Sequence, residues 1–168
     1  MTLVPVIRPA TLADTARVRA LRLEMLADAP LAFIERLDEA AGRPHSQFRE
    51  RLAERVRDPN AVHLVADAEG RIVAQAGALA LPGAPGVSLI YAVFISAPWR
   101  GTGLLGRMLD QVGAWSRAAG RDTLELEVVT SNARAIRAYG RIGFVDTGMR
   151  SRHPTIPVLT EMVMTRAA

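Results

Sequence analysis

The chain has 168 residues, 49% of them hydrophobic, which suits one globular domain with a substantial core and excludes a disordered segment. It contains no Cys, which excludes disulfides, thiolate metal sites and a Cys nucleophile. The formal net charge is +4 and all 21 basic residues are Arg, interleaved with acids as in Arg49-Glu50-Arg51 and Glu54-Arg55, the pattern of a solvated helix face rather than of a nucleic-acid footprint.

Val4 to Arg8 reads as a short strand ended by Pro9, and Thr11 with Asp14 forms a helix-start signal. A helix follows to about Asp28, with Val18, Leu21, Met25 and Leu26 on one face, and Pro30 stops it. From Leu31 to Ser46 the pattern is broken by Gly42 and Pro44. Ser46 can then cap a second helix to about Arg57, with Phe48, Leu52 and Val56 facing inward. Val62 to Ala68 and Ile72 to Leu81 form a hairpin about Glu69-Gly70. After a turn at Pro82 to Gly86, Val87 to Ile95 completes an antiparallel meander.

The stretch Val93 to Leu109 reads as strand, glycine-bearing loop and helix start. Pro98 cannot continue a ladder, and Gly101 and Gly103 permit backbone conformations that other residues avoid. Leu104, Leu105, Met108, Leu109 and Val112 then recur at helical spacing, to about Ala119. A helix that begins in such a turn presents unpaired N–H groups and a positive dipole end, an anion site to which Arg100 adds a forked donor. The bland alternative is a turn that merely closes. Gly101, Gly103 and Gly106 also spell the dinucleotide fingerprint G-x-G-x-x-G, with Glu125 and Glu127 following. Here, however, five residues separate the strand from the first glycine, and too little chain follows for a second mononucleotide half.

Thr123 to Val129 alternates as a strand, with Leu124, Leu126 and Val128 on one face and Glu125, Glu127 and Val129 on the other. Strand, helix and strand imply a parallel crossover. Asn132 can cap a helix to about Ile142, after which Phe144 to Arg150 and Val158 to Thr165 complete the sheet. The order is β-α-α-β-β-β-α-β-α-β-β, an α/β (α+β) arrangement with a mixed sheet of six or seven strands in a single domain over 1–168.

Arg100-Gly101-Thr102-Gly103 resembles the Arg/Gln-x-x-Gly-x-Gly/Ala pyrophosphate loop of the GNAT (GCN5-related N-acetyltransferase) superfamily, with Leu105 where Gly or Ala is usual. Downstream, Asn132, Ala135, Tyr139, Gly143 and Phe144 resemble that family's Asn-x-x-Ala-x-x-x-Tyr-x-x-x-Gly-Phe pattern at the family's spacing. The element order also matches, from Val6 to Met164.

The resemblance implies a GNAT fold whose two central parallel strands splay around acetyl-CoA. Main-chain groups of Val93, Phe94 and Ile95 would bond the pantetheine arm. Arg100, Gly101, Thr102, Gly103, Leu104 and Leu105 would hold the pyrophosphate, and Asn132 would contact the cofactor arm. The implied activity is acetyl transfer to a primary amine by direct attack in a ternary complex. Tyr139 would protonate the leaving thiolate, although core packing is its bland alternative, as an N-cap is for Asn132. Many members carry an acid on the fourth strand, but Leu89 to Ile95 contains none. Glu127 is the better base, since it resembles the Glu of the Leu-x-Leu-Glu-Val segment of ribosomal-protein alanine acetyltransferases. Glu35 and Tyr91 are weaker choices. The family shapes its acceptor site with the segments that are here Ala27 to Ser46 and Ser151 to Val158. Glu35, Asp38 and Glu39 there could attract a cationic amine or form a plain exposed turn. The acceptor is a small-molecule amine or a protein N-terminus, and homodimers are frequent in the family.

A non-catalytic acyl-CoA-binding or interaction module on the same fold is the alternative, supported by the acid-free fourth strand. A nicotinamide-dependent enzyme is the third reading. The three His are too scattered for a metal site, and aromatics at 5% are too few for single-stranded nucleic acid. No apolar run reaches a membrane span and no signal-peptide pattern opens the chain, so the expected location is cytoplasmic, with no membrane or nucleic-acid partner and no metal.

Overall fold

The computed structural model describes residues 3–168. Its elements are β1 (Val6–Pro9), α1 (Thr15–Asp28), α2 (Leu37–Gly42), α3 (His45–Arg57), β2 (Ala61–Ala68), β3 (Arg71–Ala80), β4 (Val87–Ile95), α4 (Leu104–Ala118), β5 (Thr123–Val129), α5 (Ala133–Arg141), β6 (Val145–Arg152) and β7 (Thr160–Ala167). The strands form one seven-stranded mixed sheet in the order β1-β2-β3-β4-β5-β7-β6. Among the described residues only β4 and β5 pair in parallel, and α4 makes the crossover between them. The closing strand β7 inserts between β5 and β6, antiparallel to both.

Alternation along the strands divides the core between the two faces of the sheet. On one face Leu64, Ala76, Ile90, Leu124, Leu126 and Met164 pack against Leu104, Met108, Leu109 and Val112 of α4. On the other, Val65 and Phe94 meet Val18, Leu21 and Met25 of α1 and Leu52 of α3. Val56, expected inward, is instead exposed near the end of α3. The segment that looked broken holds a short extra helix, α2. Its first turn is held by the Glu39 carboxylate, which accepts from the Arg36 N–H at 3.3 Å, and its Ala40 is buried under α1.

The feature that positions the site is the contrast between the two ends of β4 and β5. At one end the strands are clamped by a buried polar network. Arg121 Nε donates to Ser88 Oγ at 2.8 Å, Ser88 and Ser116 share a hydrogen bond of 2.8 Å, and Ser116 Oγ donates to the Arg121 carbonyl at 2.8 Å. The Asp122 and Thr123 N–H groups both donate to the Gly86 carbonyl. The parallel ladder then runs from Val87–Thr123 to Ile90–Leu126 and stops. Beyond it Tyr91 to Ile95 and Glu127 to Val129 continue as strands that no longer pair with each other, so the sheet opens as a wedge.

Candidate active site

A bulge aims β4 into the wedge. Between the Gln75–Phe94 and Gly77–Tyr91 pairs, β3 contributes one residue and β4 contributes two. Ala92 takes φ +51° there, a left-handed conformation that a residue with a Cβ adopts only when its surroundings enforce it. Gln75, 1% exposed, donates its amide to the Ala92 carbonyl at 3.3 Å and props the kink from behind. Gly77 lies under the Tyr91 ring, where a Cβ would come within 2.5 Å of it. The result is a cleft of about 630 Å³ lined by β4 from Leu89 to Ile95 and β5 from Leu126 to Val129. Val93, Phe94 and Ile95 therefore present main chain that β5 leaves unpaired.

The loop after β4 begins with a turn at Ala97–Trp99, braced by Thr102 Oγ1 on the Trp99 carbonyl at 2.7 Å. Gly101 and Gly103 take φ +77° and +79°, and a Cβ on either would meet nothing within 4 Å. Gly103 is the N-cap of α4 and its carbonyl accepts from the Arg107 N–H at 3.2 Å. The N–H groups of Leu104, Leu105 and Gly106 have no acceptor within the helix, the arrangement that suits an anion. Leu104 is buried and Leu105 packs on the same core, so the bulk at Leu105 is turned away from that terminus.

Arg100 is oriented differently from a free phosphate donor at the lip. Its Nε donates to the Ile95 carbonyl at 3.0 Å, Nη2 to Asp28 Oδ2 at 2.6 Å, and the guanidinium lies 5.6 Å from the Phe94 ring centre. Asp28, at the end of α1, also accepts from Arg134 of α5 at 3.3 Å. It thereby ties the glycine loop to α5 across the cleft mouth. Burial pushes the Asp28 carboxyl up, but Arg100 and Arg134 outweigh it and hold the group below its ordinary value.

From the far wall, Asn132 Oδ1 accepts from the Ala135 N–H at 3.2 Å as the N-cap of α5, and the residue also lines the cleft. Tyr139, two turns on, reaches the cleft while its ring packs edge-on against Phe144 at 5.8 Å. The N-cap of Asn132 and the packing of the Tyr139 ring are thus present, and both residues also border the cleft. Burial pushes the Tyr139 phenol well above its usual value, so it stays a protonated donor. Glu127 lines the cleft, exposed, with Ser151 Oγ at 3.4 Å from its Oε1.

Beside it is a group the sequence reading missed. Glu161 of β7 lines the same cleft at 8% exposure. Burial, and next the Glu127 charge, raise it above the ordinary Glu value. The signal was present in Glu161-Met162-Val163-Met164, since the core-facing Met162 and Met164 turn Glu161 to the side of Glu127. Glu35 proves unsuited to proton uptake. It forms ion pairs with Arg22 at 2.8 Å, with Arg43, and with Arg51 at 3.6 Å. Burial pushes Glu35 up, but the bonds from Arg43 and Arg22 prevail and hold it below its usual value. Asp38 pairs with exposed Arg36. The two segments expected to shape an acceptor site do meet, because Pro30, Leu31, residues 33–39, Thr155 and Ile156 line an adjoining cavity of about 960 Å³.

The G-x-G-x-x-G reading does not fit this geometry. Gly106 lies inside the first turn of α4 facing Ile142, and the strand beyond β5 is the antiparallel β7, not a second parallel half. Among the described residues no group of His, Asp and Glu could hold a metal, and no helix is long and apolar enough to cross a membrane.

Known structures share this architecture. Ribosomal-protein-alanine N-acetyltransferase from Brucella melitensis is 22% identical with a TM-score of 0.77, covering 97% of this chain and 99% of that one. YncA from Salmonella typhimurium, solved with its cofactor acetyl-CoA, is 18% identical with a TM-score of 0.75 and coverage of 97% and 93%. Spermidine N-acetyltransferase from Vibrio cholerae, in complex with CoA and spermine, is 14% identical with a TM-score of 0.77 and coverage of 97% and 95%. At these identities the likeness establishes the fold. A search of curated protein sequences gave no match. The sequence profile of the acetyltransferase (GNAT) family matches residues 26–144, from the end of α1 through α5 to Phe144, and the chain belongs to that family.

Proposed function

We propose that the protein transfers the acetyl group of acetyl-CoA to a primary amine by direct attack within a ternary complex. The observation that carries this reading is the wedge itself: β4 main chain that β5 leaves unpaired, Arg100 and Gly101 of the loop that leads into α4, Tyr139, Glu127 and Glu161 border one cleft. The residues present fit the cofactor. The Val93–Ile95 main chain offers ladder-like bonds to the amides of the pantetheine arm. The α4 terminus suits its pyrophosphate, and the open space at Gly101 and Gly103 leaves room for it.

Acetyl-CoA supplies a thioester whose carbonyl carbon accepts the amine. The amine must be neutral to attack, so Glu127 or Glu161, directly or through water, takes a proton from it. The N–C bond forms, the C–S bond breaks, and the sulfur leaves with the electron pair. Tyr139, kept protonated by burial, gives its proton to that sulfur. The carboxylate takes up one proton and the phenol gives one, so the net change moves one proton from amine to thiol.

The test is acetyl-CoA-dependent release of free thiol against polyamines, aminoglycosides, amino acids, arylamines and short peptides, with acetyl-CoA binding measured by calorimetry. Release above hydrolysis with one class supports the transfer. Binding without release to any class would favour the non-catalytic module, and no binding would overturn both.

A further inference from the structure

Of the charged residues that line the cleft, Asp28 is taken up by Arg100 and Arg134 at its mouth, Arg137 and Arg141 belong to α5, and the remaining four stand on opposite walls. Glu127 and Glu161 stand on the β5–β7 wall. Facing the same space from the helical layer are Arg22 of α1 and Arg55 of α3. Arg22 gives both Nε and Nη2 to Glu35 Oε2 at 2.8 Å, but Glu35 also pairs with Arg43 and Arg51. Three guanidiniums therefore share one carboxylate. Arg55 has no carboxylate within ion-pair distance among the described residues, and it lies 5.9 Å from the Tyr91 ring centre, over the face of a residue that itself lines the cleft. The helical wall is thus short of negative charge at the point where it meets the reaction space. Burial lowers Arg22 from its ordinary value, Glu35 opposes this, and the nearby Arg55 and Arg43 add to the lowering, as expected of cations crowded together with too few anions.

A polyamine would carry a second positive charge toward Arg22 and Arg55, and a protein N-terminus would bring no anion to them. An amine that also bears a carboxylate complements both walls at once. We propose that the acceptor is a small amine that bears a carboxylate, an α-amino acid or close analogue, with its carboxylate on Arg22 and Arg55 and its amine toward Glu127 and Glu161. Guanidinium matches a carboxylate through paired N–H donors, and such charged bonds discriminate strongly against an uncharged isostere. The apolar side chains of Phe33, Ile34 and Tyr91 border the same space and would receive the acceptor's own side chain.

This inference rests on the N-acetyltransferase reading. The experiment compares L-amino acids with their α-carboxamides and with spermidine. It measures both acetyl transfer and equilibrium binding of each amine to the protein saturated with CoA. At least one amino acid is expected to show kcat/KM about tenfold or more above its carboxamide, with the same preference in binding. Arg55→Gln, which spares the Arg22–Glu35 cluster, is expected to raise KM for the acid about tenfold, to shrink the acid-to-amide ratio, and to leave acetyl-CoA affinity unchanged. Equal use of acid and amide, a preference for spermidine, or an Arg55→Gln effect alike on both forms would overturn the proposal while the acetyltransferase reading stood. Failure to bind acetyl-CoA would bring down both.

Discussion

Two side chains show how burial sets chemistry here. Tyr139 is held by its edge contact with Phe144, and that contact does not need the hydroxyl. Tyr139→Phe should therefore keep the ring in place and remove only the proton donor. Turnover is expected to fall about a hundredfold or more, with acetyl-CoA affinity within about threefold of the parent. Equal losses in both, by steady-state kinetics and calorimetry, would mark a packing role. His63 gives a stability signal instead. It is 3% exposed in β2 and neither ring nitrogen has a hydrogen-bond partner among the described residues. Burial, then the charges of Arg55 and Arg22, push its pKa down to about 4. In the unfolded chain it titrates near 6.5. Below that pH the unfolded state binds a proton that the folded state refuses. The contribution is thus complete above about pH 6.5 and is lost as pH falls toward 4. Denaturant titrations between these limits should lose on the order of 3 kcal/mol, and His63→Leu should flatten the curve in that window. A wild-type slope retained in the variant would assign the loss to other groups.

At the scale of elements, the loop into α4 separates folding from binding. Gly103 is both an N-cap and, in our reading, the floor of the phosphate site. Asp tolerates left-handed backbone better than most residues, caps helices well and suits a positive dipole end. Gly103→Asp should thus melt within a few degrees of the parent, yet bind acetyl-CoA about tenfold or more weakly, with the deficit shrinking at high salt. Unchanged affinity would remove the α4 terminus from the site. Elements with a clear period were legible in the chain: β5 through Leu124, Leu126 and Val128, and α4 through its Leu104-to-Val112 stripe. The resemblance around Asn132 and Tyr139 implied two residues beside one ligand, and both line the cleft. The bulge was not legible, because Ala92 has no local reason for φ +51° and is held there by Gln75, 17 positions away. Arg100 reads locally as a forked donor for an anion because its partner, Asp28, is 72 positions distant. Short-range patterns carry no record of such pairings.

At the scale of the whole molecule, the sheet divides the labour between its faces. One face, under α4 and α5, is an ordinary apolar core. The other is polar where it meets the cleft, with Arg22, Arg55, Glu127 and Glu161 converging from α1, α3, β5 and β7. Three of those four elements lie on either side of the stretch Val93–Phe144 that holds the recognisable motifs. Arg22 and Glu161 fall outside residues 26–144 that the family profile matches and Arg55 lies far upstream of the motifs, so only the assembled sheet brings these charges together.

The unzipped end of β4 and β5 has a thermodynamic consequence. Most sheets have two edges, both at the periphery; this one has two more in its middle, each with main-chain groups that the other strand does not serve. A ligand that lies between them acts as a missing strand, and whatever binds only the folded state stabilises it by mass action. At a hundred times its dissociation constant that is about 2.7 kcal/mol. For a domain of this size it corresponds to a rise in Tm of roughly 5–10 °C. The added protection should be local as well as global. Hydrogen exchange should slow most at residues 91–95, and hardly at all in the Ser88–Arg121 clamp, where the seam is already closed. The protein's own heat resistance would then track the supply of its cofactor.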